Sequence, residues 1–361
     1  MKRLSIRLWV LGVFCCLSVF GEETYQPPRL SEEGAWSMVV IPDTQSYVKF
    51  GRNQGILELM TAWIAENRET LRIQQVVCVG DLVECNNITE TDGKSLNQTS
   101  AQMWAAAARA FERLDGKTAY VVCTGNHDHG TRSAENRETQ LDTYFPVTKN
   151  PAWEGVLVAQ GENSYGKKTL ECAAYEWTTP QGQKMLTVAL PFAPTDANLQ
   201  WAKNLVAQEK YAEHFVILVT HSYLHSTDKR IEKEGYVLNK EGGNAGEAIW
   251  QKLVYPSANI RLVLCGHISK PDNFRGCVGF AKEKNAAGKW VSQMLFDPQA
   301  LGGGWCGNGG DGWLRLLEFS PDMKKVTART FSPLFAISPA TRNLAWNRED
   351  YNEFTFTLDE E

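Results

Sequence analysis

Five short blocks of this chain place metal-binding or proton-transferring side chains directly after apolar runs. Val39-Val40-Ile41 leads into Pro42-Asp43-Thr44-Gln45, and residues 75–79 lead into Gly80-Asp81-Leu82-Val83-Glu84. Residues 119–123 are followed by Thr124-Gly125-Asn126-His127-Asp128, with His129 next. Residues 215–220 run into His221, and residues 260–265 into Gly266-His267-Ile268-Ser269. A single Asp or Asn in such a place is usually a turn former, and a single His is usually a core or surface residue. Five blocks in succession point elsewhere. Carboxylate, carboxamide and imidazole donors without thiolate suit first-row divalent ions such as Mn, Fe, Co or Zn. A carboxylate shared by two such ions sets them roughly 3.5–4 Å apart, where they clamp a phosphoryl group and acidify a water between them.

That chemistry requires the blocks to meet. Ligands of open α/β sheets bind beyond the carboxyl ends of the strands, so a layered sheet would gather all five blocks at one edge. Apolar runs over 37–41, 75–79, 119–123, 185–190, 215–220 and 260–265 predict buried strands. Amphipathic patterns over 55–71, 101–114 and 197–208, with a shorter one around 245–253, predict helices. Their alternation predicts an α/β domain with largely parallel strands. The runs 293–296, 314–319 and 325–331, joined by Gly, Asp and Pro turns, predict a β-rich, mixed or antiparallel addition.

Composition bounds the alternatives. With 361 residues, 43% hydrophobic and 22% charged, the chain is neither disordered nor fibrous. A net charge of −5 gives no broad basic surface for nucleic acid. The basic start Met1-Lys2-Arg3 with Arg7, the apolar run 8–20 and Gly21 before Glu22-Glu23 read as a secretory signal over residues 1–21. Residues 22–34 then form a lead-in, and 35–361 a single domain with a β-rich C-terminal part. On this reading the mature protein is secreted or periplasmic, without a stable membrane span. Its oligomeric state is not encoded in any pattern.

Nine cysteines become seven once Cys15 and Cys16 leave. Cys78, Cys123 and Cys265 end apolar runs and are expected as buried thiols. Cys85, Cys172, Cys277 and Cys306 are free to form up to two bridges in any of three pairings.

The ordered blocks resemble the calcineurin-like metallophosphoesterases: an Asp-x-His block, Gly-Asp-x-x-Asp, Gly-Asn-His-Asp/Glu, an isolated His and Gly-His-x-His. Gly-Asn-His-Asp at 125–128 and the order of the set carry the likeness. The resemblance implies a four-layer α-β-β-α sandwich of two mixed sheets flanked by helices. It also implies hydrolysis of phosphate mono- or diesters by a hydroxide held between two divalent ions (Mn, Fe or Zn). By the same likeness Asp81 bridges the ions, Asn126, His221 and His267 complete the second site, and Asp43 holds the first. His127 is then the general acid, Glu84 the carboxylate that orients it, and Asp128 a support behind the site.

Two positions depart from the pattern: Gln45 and Ser269 stand where the family usually has His. Both belong to the first site. A branch of the family opening with Pro-Asp-Thr-Gln is similar here and implies that Gln45 remains a ligand. The first ion is then Mn or Mg, weakly held, because amide and water oxygens are harder donors than imidazole. Asp272 or Asn273 lies close enough in sequence to replace the imidazole missing at Ser269. The loss of two imidazoles also fits an alternative: a non-catalytic protein that binds one metal on the same fold.

The substrate is expected to be a small phosphorylated molecule, with His129, Tyr223 and Trp305 as candidate contacts and His225 nearby. Trp305 and Trp313 lie in a Gly-rich loop over 302–313. Its G-x-G-x-x-G spacing precedes more glycines and not a helix, so a dinucleotide site is not expected. The phosphate-loop spacing over 161–167 is followed by Lys168, not Ser or Thr, and reads as chance.

Overall fold

A computed structural model describes residues 25–359, so the signal expected over residues 1–21 lies outside the described residues. The strands, in chain order, are β1 (Trp36–Ile41), β2 (Ile73–Cys78), β3 (Tyr120–Val122), β4 (Leu157–Glu162), β5 (Lys168–Thr178), β6 (Lys184–Ala189) and β7 (Phe215–Val219). They continue with β8 (Ile260–Cys265), β9 (Val278–Lys284), β10 (Trp290–Phe296), β11 (Leu314–Phe319), β12 (Lys325–Phe331), β13 (Trp346–Asn347) and β14 (Phe354–Thr357). One sheet runs β13-β12-β11-β1-β2-β3, with β14 also on β12; the other runs β4-β5-β6-β7-β8-β10-β9.

Both sheets are mixed. Strands β1, β2 and β3 are parallel neighbours, as are β6, β7, β8 and β10. The C-terminal strands are not a separate addition: β11 pairs antiparallel with β1, so both ends of the domain share one sheet. Strands β4 and β5 form an antiparallel hairpin with no counterpart among the expected strands. The phosphate-loop spacing falls on its turn, where Asn163 Oδ1 accepts from the backbone N–H groups of Tyr165 and Lys167 and no helix follows.

Side-chain alternation shows how the layers stack. In β7, Val216 and Leu218 join a core beneath helix Asp196–Val206, while Ile217 and Val219 join the core shared with the other sheet. Contacts between sheets run from Thr187 of β6 to Gln75 of β2, and from Trp177 of β5 to Trp36 of β1, whose rings meet edge-on at 5.4 Å. Helices Gln54–Asn67 and Ser100–Phe111 cover the outer face of the first sheet; Trp63 of the former lies 5.0 Å from Phe331 of β12. Helix, sheet, sheet and helix give the four layers expected.

Helix starts follow their caps: Thr99 with Gln102, and Thr195 with Asn198, each form a reciprocal capping box. The first long helix stops at Asn67, short of the expected Leu71, because the chain turns back through Arg72 at a φ of 44° to enter β2. Around residue 250 one α-helical turn, Gly246–Ile249, widens into a π turn, Trp250–Val254, that buries Trp250 and Leu253. All seven described cysteines are free, six of them buried, so no bridge joins Cys85, Cys172, Cys277 and Cys306.

Candidate metal centre

Backbone bonds between neighbouring blocks draw the strand ends together. The N–H groups of Thr44 and Gln45 donate to Asp81 O at 3.1 and 2.8 Å, and Gly266 N–H donates to His221 O at 3.0 Å. The His221 ring spans the two sheets, its Nδ1 donating to Val79 O at 2.9 Å. Two glycines permit this closeness: a Cβ on Gly125 would overlap the Asp81 carboxylate, and one on Gly266 would overlap Asp43 Oδ1. Two of the expected ligand positions carry strain, Asp81 at a φ of 46° and His267 at 78°.

On one side of Asp81 the arrangement asks for a cation. Because Nδ1 of His221 donates to Val79, Nε2 of the neutral ring is an acceptor. It lies 3.2 Å from Asp81 Oδ2, 3.2 Å from Asn126 Oδ1 and 3.2 Å from His267 Nδ1. Asn126 presents its oxygen because its nitrogen donates to Ser133 Oγ at 2.9 Å. His267 presents Nδ1 because Nε2 faces the Glu234 carboxylate at 3.1 Å. Four acceptors thus converge with no donor between them, as around a metal ion. The ligand atoms of Asp81, His221 and His267 all lie within 4.8 Å of one another. Burial opposes charge on His221, yet the adjacent Asp81 raises its pKa, so the same field draws in a proton when no cation is bound.

The other side is oxygen-rich. Asp43 is fully buried, and its Oδ2 accepts from His267 N–H and from Gln299 Nε2, each at 3.1 Å. Its Oδ1 has no hydrogen-bond partner, His221 Nδ1 standing 3.9 Å away and donating elsewhere, nor does Gln45 Oε1, although Gln45 is only 3% exposed. Buried acceptors without donors fit a group that accepts their lone pairs. Burial, together with the charges of Asp297 and Asp81, raises the Asp43 carboxyl well above the usual range. Asp81 moves the opposite way: burial resists its ionisation, but the His221 and His127 imidazoles hold its pKa low.

His127 lies between these groups and solvent. Its backbone N–H donates to Asp81 Oδ1 at 2.9 Å, and its ring Nδ1 donates to the Glu84 carbonyl at 2.7 Å. The remaining ring nitrogen, Nε2, is therefore the one that can exchange a proton. Glu84 orients this ring through its backbone and not, as expected, through its carboxylate, which pairs with buried Lys49 at 3.1 Å. Asp128 accepts from the N–H groups of Leu82 and Val83 at 3.0 Å and of Gly125 at 2.8 Å, bracing the loops that carry Asp81 and Asn126. Burial and the Asp81 charge push it up to about 7 against those bonds.

Three expected substrate contacts fare differently. Tyr223 is fully buried in the second core and donates to Gln293, because the chain bends at His221 and Ser222 once β7 has ended. His129 is 1% exposed and bonded to Thr124 Oγ1, with its pKa lowered to about 4 by burial. Neither is placed to meet a substrate. Trp305 is exposed, whereas Trp313 packs between Phe274 and Phe335. His225 is exposed and bonded to Thr227.

At the last block, Ser269 Oγ accepts from Ala300 N–H and sits 3.6 Å from Cys277 Sγ. Asn273 does not replace the missing imidazole; its side chain caps Gly276. Instead Gln299, from the end of β10, reaches Asp43 and Gln45. Asp297, Gln299 and Glu234 are the site residues that the five-block pattern lacks.

Residues 37–271 match the family model for calcineurin-like phosphoesterases. Over 339 residues the chain is 26% identical to the uncharacterized protein YvnB of Bacillus subtilis (strain 168), a match covering 90% of this chain and 22% of that protein. The chain thus spans about a fifth of the length of that relative. Among solved structures it is similar to a purple acid phosphatase from yellow lupin seeds (13% identity, TM-score 0.46), over 92% of this chain and 55% of that one. A dimetal phosphatase from Danio rerio is also similar (10% identity, TM-score 0.47), over 90% of this chain and 99% of that one. With the family model spanning well over half its residues, the chain belongs to the calcineurin-like phosphoesterases.

Proposed function

We propose that this protein is a metal-dependent hydrolase of phosphate mono- or diesters in which His127 gives a proton to the leaving oxygen. The observation that carries the reading is the placement of His127, an imidazole locked through Nδ1 by Glu84 and through its backbone by Asp81, beside donors converging for a cation. Asn126, His221 and His267 would hold one ion, Asp43 and Gln45 the other, and Asp81 both. Divalent ions of the Mn, Fe or Zn type there would neutralise a phosphoryl group and make a water more acidic. The protein's own residues do the rest. Asp128 fixes the two loops, Glu84 O keeps one proton on Nδ1 of His127, and Nε2, which takes up the second proton of the charged ring, would give it to the departing oxygen.

A second reading, a protein binding one metal without catalysis, draws on Ser269, whose hydroxyl is turned toward Ala300 and Cys277. Secretion is proposed on the basic start and short apolar run at residues 1–21.

Aryl phosphate mono- and diesters incubated with residues 22–361 and manganese separate the two readings. Turnover that is lost in His127→Ala at equal bound metal is the expected result. Absence of turnover with both esters, in folded protein holding its metal, would favour the binding role.

A further inference from the structure

A further block borders the oxygen-rich side of the centre, outside the five strand ends that carry Asp43, Asp81, Asn126, His221 and His267. Strand β10 lies parallel to β8, so Asp297-Pro298-Gln299 leaves the second sheet at the same edge as His267. Gln299 Nε2 donates to Asp43 Oδ2 and to Asp297 Oδ2, both at 3.1 Å. Gln299 Oε1 accepts from Gln45 Nε2 at 2.8 Å and from Ser46 Oγ at 3.1 Å. Asp43 and Asp297 are fully buried and within hydrogen-bonding reach of each other. Neither has a Lys or Arg among its described partners.

Two carboxylates side by side out of water, with Asp81 close behind, are held together only at a cost unless positive charge joins them. The second observation is independent of that charge. Gln45 is anchored by its nitrogen to Gln299 within this cluster, and its Oε1, like Asp43 Oδ1, is buried without a partner. Acceptors that no donor reaches are what a hard cation takes.

We propose that Asp297 is a ligand of the first ion. The site is then an all-oxygen one of Asp43, Gln45 and Asp297, sharing Asp81, with Gln299 bracing the set. This inference rests on the two-ion reading above and adds to it which residues stand in for the two missing imidazoles. A site without nitrogen favours Mn²⁺ or Mg²⁺, whereas the Asn126, His221 and His267 side favours Zn²⁺. The centre is therefore mixed by construction.

Metal counting tests this without reference to turnover. Chelator-stripped wild-type protein given Zn²⁺ and Mn²⁺ together is expected to keep one of each. Asp297→Asn keeps an oxygen for Gln299 and offers a nitrogen to Asp43. It should retain the zinc, bind the manganese about 10–100-fold more weakly, and melt no lower than wild type when both are metal-free. Wild type holding two zinc ions of equal affinity would overturn the proposal. So would Asp297→Asn binding manganese as tightly as wild type. If the variant does not fold, the wild-type competition decides alone. One zinc and one manganese in a protein that hydrolyses no phosphate ester would sink the proposed function and leave this inference standing. Hydrolysis by a form with two equal zinc ions would do the reverse.

Discussion

Asn126, His221 and His267 reach the centre from three different strand ends, and each is aimed from behind by its own partner: Ser133, the Val79 carbonyl and Glu234. Across Asp81, the side chains of Asp43 and Gln45 both depend on Gln299, and each retains an unpartnered buried oxygen. The first side is pre-organised, because a partner behind each ring and amide turns its acceptor atom toward the ion position before an ion arrives. The second is crowded with acceptors and complete only when something positive enters. One centre can thus combine a firmly held ion with an exchangeable one, and the difference comes from what stands behind each ligand as much as from the ligands themselves.

Removing the group common to both sides should have the largest effect. Asp81→Asn is expected to weaken both ions and to cost several kcal/mol of transition-state stabilisation, about a thousandfold or more in rate. Bound metal and aryl phosphate turnover should fall together. His127→Ala touches neither side and should lower turnover by about 10²–10⁴ with both ions retained. Equal metal loss in the two variants would erase the division between ligand and proton donor.

The comparison also marks where sequence stops informing. Asp43, Asp81, Asn126, His221 and His267 were legible because each follows a buried run, four of them with Gly or Pro just before or nearby that lets the chain turn tightly. Asp297 follows β10 in the same manner, but without a histidine or glycine beside it, and it reads as the end of an ordinary C-terminal strand. Glu234 lies in a charged loop whose composition suggests only solvation; its approach to His267 depends on folding over residues far apart in sequence. Tyr223 shows the opposite error, since proximity to His221 in sequence says nothing of which face its ring takes. Glu84 acts through a backbone carbonyl, which no side-chain pattern encodes. Strands β1, β2, β3, β6, β7 and β8 are predicted to within a residue or two because they are nearly continuous buried runs, whereas β10 starts three residues before the expected 293 and the hairpin β4–β5 alternates weakly and lies nearer the surface at β4.

A narrower substitution sharpens the contrast between the two sides. Glu234→Ala should loosen the nitrogen-side ion about 10–100-fold by freeing the His267 ring, while leaving manganese on the oxygen side unchanged; competition between the two metals would read this directly. The smallest effect is expected on the Gly-rich loop, which is tied to the oxygen side through Arg52 to Cys306 O and Asn53 to Gly307 O. Trp305→Ala, at an exposed tip, should alter stability by no more than about 0.5 kcal/mol and change neither ion's affinity. A clear loss of ester hydrolysis in that variant at full metal occupancy would give the indole a place in substrate binding.

The most direct test is a manganese titration of protein already carrying one zinc ion per chain, following bound ions and aryl phosphate hydrolysis in the same samples. The zinc on the nitrogen side should give no turnover by itself, and activity should rise only as manganese fills the oxygen side. Full activity at one ion per chain, or none at two, would contradict the account.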